Sequence, residues 1–401
     1  MRRPARLALA VAAVLVLAGC AAGARAGEPT WTPAPSFRGE PQRPRAIPNV
    51  PQPSAPPRAS GPDGSPPSPT GSSTDDPSVV ATNLTAPDAI ALLPDGTALV
   101  GERTTGRIVS VQATPHQPVK TVRTLTGLST TAGGGLLDLA LSPTYSQDNL
   151  IFAYVTTATD NRVVEFTLTG PMTPVLTGIP RGASDNTGHL AFGDDGRLYV
   201  GTGDAGQPSL AADPGSLAGK VLRVSDIGQP AAGNPTPSSP VFTTGHHDVA
   251  ALCLIPQTNV LLEAEPNGAN GLADVNVLTA GRNYGWPSPS ASSKGPLASL
   301  PAGSGSPGGC AVFQNTLYVT SLDGRSLLAS HLGVSGQTVI AAKFQVFLKN
   351  QYGRLLTVVA APDGALWMTT SNRDGHGAPI AADERVLRIQ APAGASANYP
   401  G

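Results

Sequence analysis

Six times along the chain a short apolar run meets a tight polar turn and leaves it as a second apolar run. The copies read IALLPDGTALVGER from Ile90, LALSPTYSQDNLIFAYVT from Leu139 and LAFGDDGRLYVGTG from Leu190. They continue as LCLIPQTNVLLEAE from Leu252, CAVFQNTLYVTSL from Cys310 and VVAAPDGALWMTTS from Val358. Strand-forming residues on both sides of Pro, Asp, Gly or Asn mark each copy as a β-hairpin. The turn centres fall near Asp95, Tyr145, Asp195, Gln257, Gln314 and Asp363, a period of roughly 50 to 60 residues. Hairpins on such a period predict propeller blades of about four strands each. The expected fold is therefore all-β, a six-bladed β-propeller; a β-sandwich with evenly spaced hairpins is the alternative. Long apolar stripes at helical spacing are absent from the body of the chain.

The N-terminus is patterned differently. Arg2, Arg3 and Arg6 precede an apolar stretch from Leu7 to Ala18, short for a bilayer span and suited to a signal-peptide core. It ends in Leu17-Ala18-Gly19-Cys20, which resembles a bacterial lipobox, where the Cys is acylated and becomes the mature N-terminus. Residues 1–19 are accordingly expected to be a lipoprotein signal peptide. Cys20 would carry acyl chains that hold the protein to the cell membrane on its extracytoplasmic face, two chains anchoring stably where one does not. An ordinary signal peptide with a coincidental Cys is the alternative. Residues 20–77 are dominated by Pro, Ser, Gly and Thr, too polar to bury a core, and predict a disordered, extended tether. Trp31 and Phe37 are isolated aromatics within it, with no assigned role. The propeller is placed at residues 78–391, and 392–401 form a tail.

Composition narrows the partners. The formal net charge is −1, which offers no electrostatic attraction for nucleic acid or anionic lipid. A monomer is expected. Beyond Cys20 two cysteines remain, Cys253 and Cys310, in neighbouring repeats. Export permits a disulfide between them, with two buried thiols as the alternative.

The stretch from Gly178 to Pro287 is the most distinctive. It holds NTGHLAFGDDGRLYVGTGDAG from Asn186, SLAGKVLRV from Ser216, GNP at Gly233, GHHD at Gly245 and GRNYGWP at Gly281. PDGTALVGERTTGRI from Pro94 precedes it, and PDGALWMTTSNRDGHG from Pro362 with DERVLRI from Asp383 follows. In order and spacing these segments resemble the soluble quinoprotein glucose/sorbosone dehydrogenase family over nearly all of residues 79–391. With the lipobox and Pro-rich tether, the architecture is similar to its LppZ-type envelope lipoproteins. The resemblance implies a six-bladed propeller that binds pyrroloquinoline quinone (PQQ) and Ca2+ at its top face and oxidises a sugar hydroxyl or aldehyde. Such chemistry needs a base of near-neutral pKa, a hard cation held by oxygens, and cationic groups for the three carboxylates of the quinone.

The family's His base lies in an H-N-G-G-R-L motif; here the segment reads Asp185-Asn186-Thr187-Gly188-His189-Leu190. The resemblance thus puts the base at Asp185, while His189 stands where the family has Arg or Lys. Four residues of extended chain separate them, over about 10 Å of travel. An Asp is the weaker base unless burial raises its pKa. Asp185 as a plain turn residue and His189 as a plain strand residue is the structural alternative. Asn186, Arg354 and Arg325 are the candidate cofactor contacts. The family's Lys after a Ser-Leu pair is Asp323 here, and its R-x-R-D run is Arg354-Leu355-Leu356-Thr357. Arg325 and Arg373 are the cations able to compensate. The family's calcium elements, E-x-G and D-E-x-N, map to Glu263-Ala264-Glu265-Pro266-Asn267-Gly268 and Ala273-Asp274-Val275-Asn276. Glu265, Asp274 and Asn276 are the candidate metal ligands, though Asp and Asn near Gly also serve as turn formers.

His246-His247-Asp248 matches the family's G-H-R-N; adjacent strand residues face opposite ways, which favours a structural role. Asp204 is expected to cap backbone amides. Gly133-Gly134-Gly135 lacks the Lys-Ser/Thr of a phosphate loop, and no Gly-x-Ser-x-Gly elbow occurs. Two functions stay open. One is an envelope-anchored, PQQ-dependent sugar or aldehyde dehydrogenase with an altered site. The other is a non-catalytic propeller that binds a sugar, a glycan or a protein partner, which the substituted base and cations favour.

Overall fold

The computed structural model describes residues 76–266 and 272–392. The expected signal peptide, Cys20, nearly all of the tether with Trp31 and Phe37, Asn267 and Gly268, and the tail after Pro392 lie outside the described residues. The described chain forms six separate antiparallel sheets. Each of the six predicted hairpins is the pair of inner strands of one sheet. These pairs are Pro87–Leu92 with Ala98–Glu102, Leu136–Leu141 with Ile151–Thr156, and Gly188–Phe192 with Leu198–Thr202. Ala251–Ile255 with Val260–Glu265, Pro307–Phe313 with Thr316–Ser321, and Leu355–Ala360 with Ala365–Thr370 complete blades 4 to 6. The all-β six-bladed propeller read from the repeats is the observed fold.

Turn chemistry explains why these hairpins form. Asp95, Asp195 and Asp363 each accept a hydrogen bond from the backbone N–H two residues on, at 2.9, 3.0 and 3.1 Å. The glycine between them, Gly96, Gly196 or Gly364, takes the left-handed conformation at φ 84°, 70° and 84° that a side chain would strain. The repeat near Tyr145 departs from the expected tight turn: Tyr145–Asp148 is one helical turn, held by Asp148 accepting from Ser142, Thr144 and the Leu150 N–H. Blade 5 also departs from four strands, because Gln345–Phe347 pairs with Ser326–Ser335 beside Thr338–Ala341. Val79–Ala81, the first strand, pairs with Val386–Gln390 of blade 6, so the two ends of the domain share one sheet and close the ring.

The core lies between blades. Second strands such as Ile151–Thr156, Thr316–Ser321 and Ala365–Thr370 are buried at every position, because both faces of the sheet meet a neighbour. Between blades 4 and 5 that layer contains Leu262, Val312, Leu317 and Leu328 around Cys253 and Cys310. The two cysteines are disulfide-bonded with Cα atoms 5.7 Å apart, joining the innermost strands of adjacent blades.

Candidate functional site

The starting ends of the innermost strands converge opposite the hairpin turns. In blades 1, 2, 5 and 6 the pairing register shifts there, between Pro87 and Ala89, Leu136 and Asp138, Pro307 and Cys310, and Leu355 and Val358. Such bulges re-aim side chains at the rim of a sheet. A cleft of about 300 Å³ opens among these ends, lined by Asp88, Asp185, His189, Asp248, Pro266 and Thr357 among others. Beneath it a second cavity of about 480 Å³ runs between all six innermost strands. His189, Gly308 and Thr357 border both and form the waist.

Both candidate catalytic residues reach the cleft. Asp185 sits at φ 50°, a left-handed conformation that a short polar side chain tolerates. Ser184 Oγ donates to its carboxylate at 2.6 Å. The neighbouring strand must come close: a Cβ on Gly203 would stand 2.2 Å from the Asp185 carbonyl oxygen. Asp185, Asp204 and His247 bring ligand atoms within 4.8 Å of one another. Asp204 does cap a backbone amide, that of Gly206 at 2.8 Å, and also accepts from Trp286 Nε1 at 2.8 Å. The His247 ring packs on Trp286 with centroids 4.3 Å apart. His247 Nδ1 and Asp248 Oδ1 are buried without a hydrogen-bond partner among the described residues. At the waist, His189 Nδ1 lies 3.5 Å from Asp138 Oδ2.

Asn186 also lines the cleft, but its amide is spent on structure. It donates to the carbonyls of Ala132 and Gly182 at 2.8 and 3.0 Å and accepts from the Gly182 N–H and from Asn161. These bonds pin the Asp185 loop to blade 2.

Burial decides the electrostatics. It pushes the Asp248 carboxyl up to about 6, against the Thr187 hydrogen bond and with Asp185 adding repulsion. Asp88 is likewise pushed up to about 6, although Arg103 pairs with it at 2.7 Å. Two carboxylates therefore titrate near neutrality, where a proton acceptor is effective. Sequence reasoning missed both as site residues. The repeats offer no signal for either: the residue before the first apolar position is Asp138, His189 or Thr357 in blades 2, 3 and 6, all facing the channel, but Ala89 and Ala251 in blades 1 and 4.

The candidate cofactor cations are placed otherwise. Arg354 is buried between two carboxylates, its Nη1 on Asp323 at 2.6 Å and its Nε on Asp374 at 2.8 Å. Arg325 is exposed, and neither it nor Arg354 lines the cleft. Arg373 donates to the carbonyls of Asp383 and Ile380 at 2.7 and 3.0 Å. No Lys or Arg lines the cleft among the described residues, whereas three Asp do. These residues do not fit a tricarboxylate quinone, which needs unspent cations.

The candidate metal ligands do come together. In blade 4, Glu265 lies opposite Asp274 and Glu263 opposite Asn276, all four buried. Ser299 Oγ donates to Asp274 at 2.6 Å, and Asn276 turns its amide nitrogen, not its oxygen, to Glu263 at 2.6 Å. With His246 packed against the two glutamates, the set does not fit the all-oxygen shell that calcium takes.

Residues 84–308 match the family described as Glucose / Sorbosone dehydrogenase. The PQQ-bound form of aldose sugar dehydrogenase from Streptomyces coelicolor is 36% identical, with a TM-score of 0.72 over 77% of this chain and 95% of that one. The apo form of the soluble aldose sugar dehydrogenase from Escherichia coli shares the fold, at 21% identity and a TM-score of 0.67 over 78% of this chain and 99% of that one. Quinoprotein glucose dehydrogenase B from Acinetobacter calcoaceticus is 29% identical over 252 residues, 53% of this chain and 52% of that protein. The chain thus spans about half the length of the curated relatives it matches. The motifs, the six blades and the matched residues agree: the chain belongs to the glucose/sorbosone dehydrogenase family.

Proposed function

We propose that this family member binds a neutral sugar in its top-face cleft and has lost the cradle for a carboxylated quinone. The observation that carries this reading is the acidic lining of Asp88, Asp185 and Asp248 beside His189, with Arg354 held away by Asp323 and Asp374. Ionised carboxylates accept hydrogen bonds from sugar hydroxyls, whereas a tricarboxylate would meet like charge. A cleft of about 300 Å³ is at the small end of ligand sites and suits one sugar ring.

A second reading has its own support in the 36% identity to a relative whose structure is PQQ-bound. In it the chain is a quinone-dependent sugar dehydrogenase, and Arg354 would have to leave a carboxylate. Calorimetric titration with a panel of aldoses, and separately with PQQ and calcium, decides between them. Sugar binding without a bound-quinone spectrum supports the first reading. Quinone binding with reduction of an artificial electron acceptor replaces it with the second.

The anchor is proposed on the sequence alone. The mature chain would begin at acylated Cys20 and sit on the extracytoplasmic face of the cell membrane. Cys20→Ala should release the protein or leave it unprocessed; unchanged membrane retention would overturn the anchor.

A further inference from the structure

Beside the cleft, in the wall between blades 3 and 4, lies a cluster that the sugar reading does not use. His246 follows Val241–Thr244 and is completely buried; Glu263 and Glu265 reach it from the second strand of blade 4. Their ligand atoms lie within 4.8 Å of one another. His246 Nδ1 stands 3.5 Å from Glu263 Oε1 and 3.7 Å from Glu265 Oε2. The other ring nitrogen, Nε2, is 2.9 Å from Thr243 Oγ1.

Two buried carboxylates facing an imidazole require a positive charge between them. Among the described residues no Lys or Arg pairs with either glutamate. A proton on Nδ1 is the simplest candidate. It would draw an oxygen to about 2.7–2.9 Å, as charge-assisted hydrogen bonds do. The oxygens stand off instead, and both Nδ1 and Glu263 Oε2 lack a hydrogen-bond partner among the described residues. The observed separations of 3.5 and 3.7 Å are close to the spacing of donors around a tetrahedral zinc ion, about 3.3 to 3.6 Å for bonds of about 2.0–2.2 Å.

We propose that His246 Nδ1 and the carboxylates of Glu263 and Glu265 form a buried zinc site that ties the blade 3–4 connection to blade 4. The surroundings are those of a metal-bound imidazole. With Nε2–H donating to Thr243, the ring is fixed in the tautomer that presents Nδ1 as a lone pair. Asn276 Nδ2 at 2.6 Å and the His247 N–H at 3.0 Å hold one oxygen of each glutamate in place. Glu263 would bind through both oxygens, its unpartnered Oε2 included, which makes the four-donor shell a distorted one. One nitrogen with carboxylate oxygens suits zinc better than calcium. The ion would be structural, almost fully enclosed, and would fix the segment that delivers Asp248 to the cleft. The site does not depend on which ligand that cleft takes.

The test uses the purified full chain. Zinc content after gel filtration in zinc-containing buffer should be about one ion per chain, and a chelator should lower the melting temperature. Cobalt in place of zinc should give the absorption of a tetrahedral site. Glu265→Gln should weaken zinc binding by about tenfold or more. Less than about a tenth of an equivalent of zinc, with no change of melting temperature on adding zinc, would overturn the site and leave the ring's own proton as the cation. Retention of full zinc affinity in Glu265→Gln would overturn it too. If that variant does not fold, the cobalt spectrum of the unaltered protein decides, and an octahedral or absent spectrum counts against the proposal.

Discussion

The two banks of the cleft are built on opposite plans. On the bank of blades 3 and 4, Asp185, Asp204, His247 and Asp248 crowd together, and two of their buried polar atoms have no partner among the described residues. On the side of blades 5 and 6, set back from the cleft lining, the charges are closed on themselves. Arg354 holds Asp323 and Asp374, Arg385 holds Asp383 at 2.7 Å, and Glu384 accepts from Thr370 at 2.6 Å and from the Arg373 N–H. Buried polar groups that are fully matched stabilise a fold; those left unmatched mark where a ligand gains most. The contrast teaches that a retained arginine is not a retained function. Arg354 keeps its place in the motif while its charge is spent within the protein.

The disulfide between Cys253 and Cys310 lies on the seam between the banks, joining blade 4 to blade 5. Its removal should have the largest effect on stability. Closing a loop of 57 residues restricts the unfolded chain by about 4 kcal/mol. Replacing both cysteines with Ser should lower the unfolding free energy by that amount in chemical unfolding. A loss below about 1 kcal/mol would mean that blade packing alone holds the seam.

Next in size is Arg354→Met, which leaves two carboxylates without their cation. Breaking a buried pair costs about 3–5 kcal/mol, but the Asp323 side chain is 54% exposed, so about 2 kcal/mol is expected. The pH dependence fixes the origin. Burial works to raise the Asp323 carboxyl, but the Arg354 hydrogen bond, the Ser306 N–H and the Arg354 charge together outweigh it and hold the pKa below the usual value of 3.8. A depressed carboxylate stabilises the native state above its unfolded pKa, and that contribution is lost as pH falls through the folded value. The difference between Arg354→Met and the unaltered protein should therefore hold from neutral pH to about 5 and shrink below about 4. A pH-independent difference would mean that lost side-chain packing, not charge, is the cause.

How much of this was legible in the sequence differs between fold and site. The six hairpins were readable because Asp95-Gly96 and its counterparts are local signals, and the Cys253–Cys310 pairing because both cysteines sit on equivalent strands of neighbouring repeats. The turn at Tyr145 was not, since a single helical turn and a tight reversal share the same polar composition. Asp185 and His189 were found as a pair, and the cleft does bring them to one place. That Arg354 is neutralised depends on Asp374, a contact across 20 residues that no motif records. Asp88 escaped notice because its importance comes from burial at a bulge, which residue type does not reveal.

Asp248→Asn should move the open bank the other way. With a native pKa of about 6 against an ordinary 3.8, ionised Asp248 is disfavoured in the folded state. A raised carboxyl makes stability fall as pH rises from about 4 to 6, and the deficit persists above that window. Removing the charge should therefore stabilise the protein by about 1–2 kcal/mol at neutral pH, with little change at pH 4. The same substitution should weaken sugar binding about tenfold, through the lost charged acceptor. Gain in stability with loss of affinity is the expected signature of a functional group. Loss of both would place Asp248 with the structural charges of the opposite bank.

The smallest effect separates the banks without any mutation. Between pH 7 and 5, Asp88 and Asp248 pass through their pKa values of about 6, while Asp323 stays ionised. A protonated carboxyl remains a hydrogen-bond partner but accepts less strongly, so sugar affinity should fall by about three- to tenfold over this interval. Stability should change in the opposite sense, since raised carboxyls favour the folded state as they take up protons. Weaker binding to a more stable protein cannot come from acid unfolding, nor from the Arg354–Asp323 pair, whose carboxyl is held below its ordinary value. Calorimetric titrations paired with melting curves at the two pH values check both signs at once. Affinity that holds constant while stability rises would leave the two acids buried but unused, and would move the sugar contacts to Asp185 and His189.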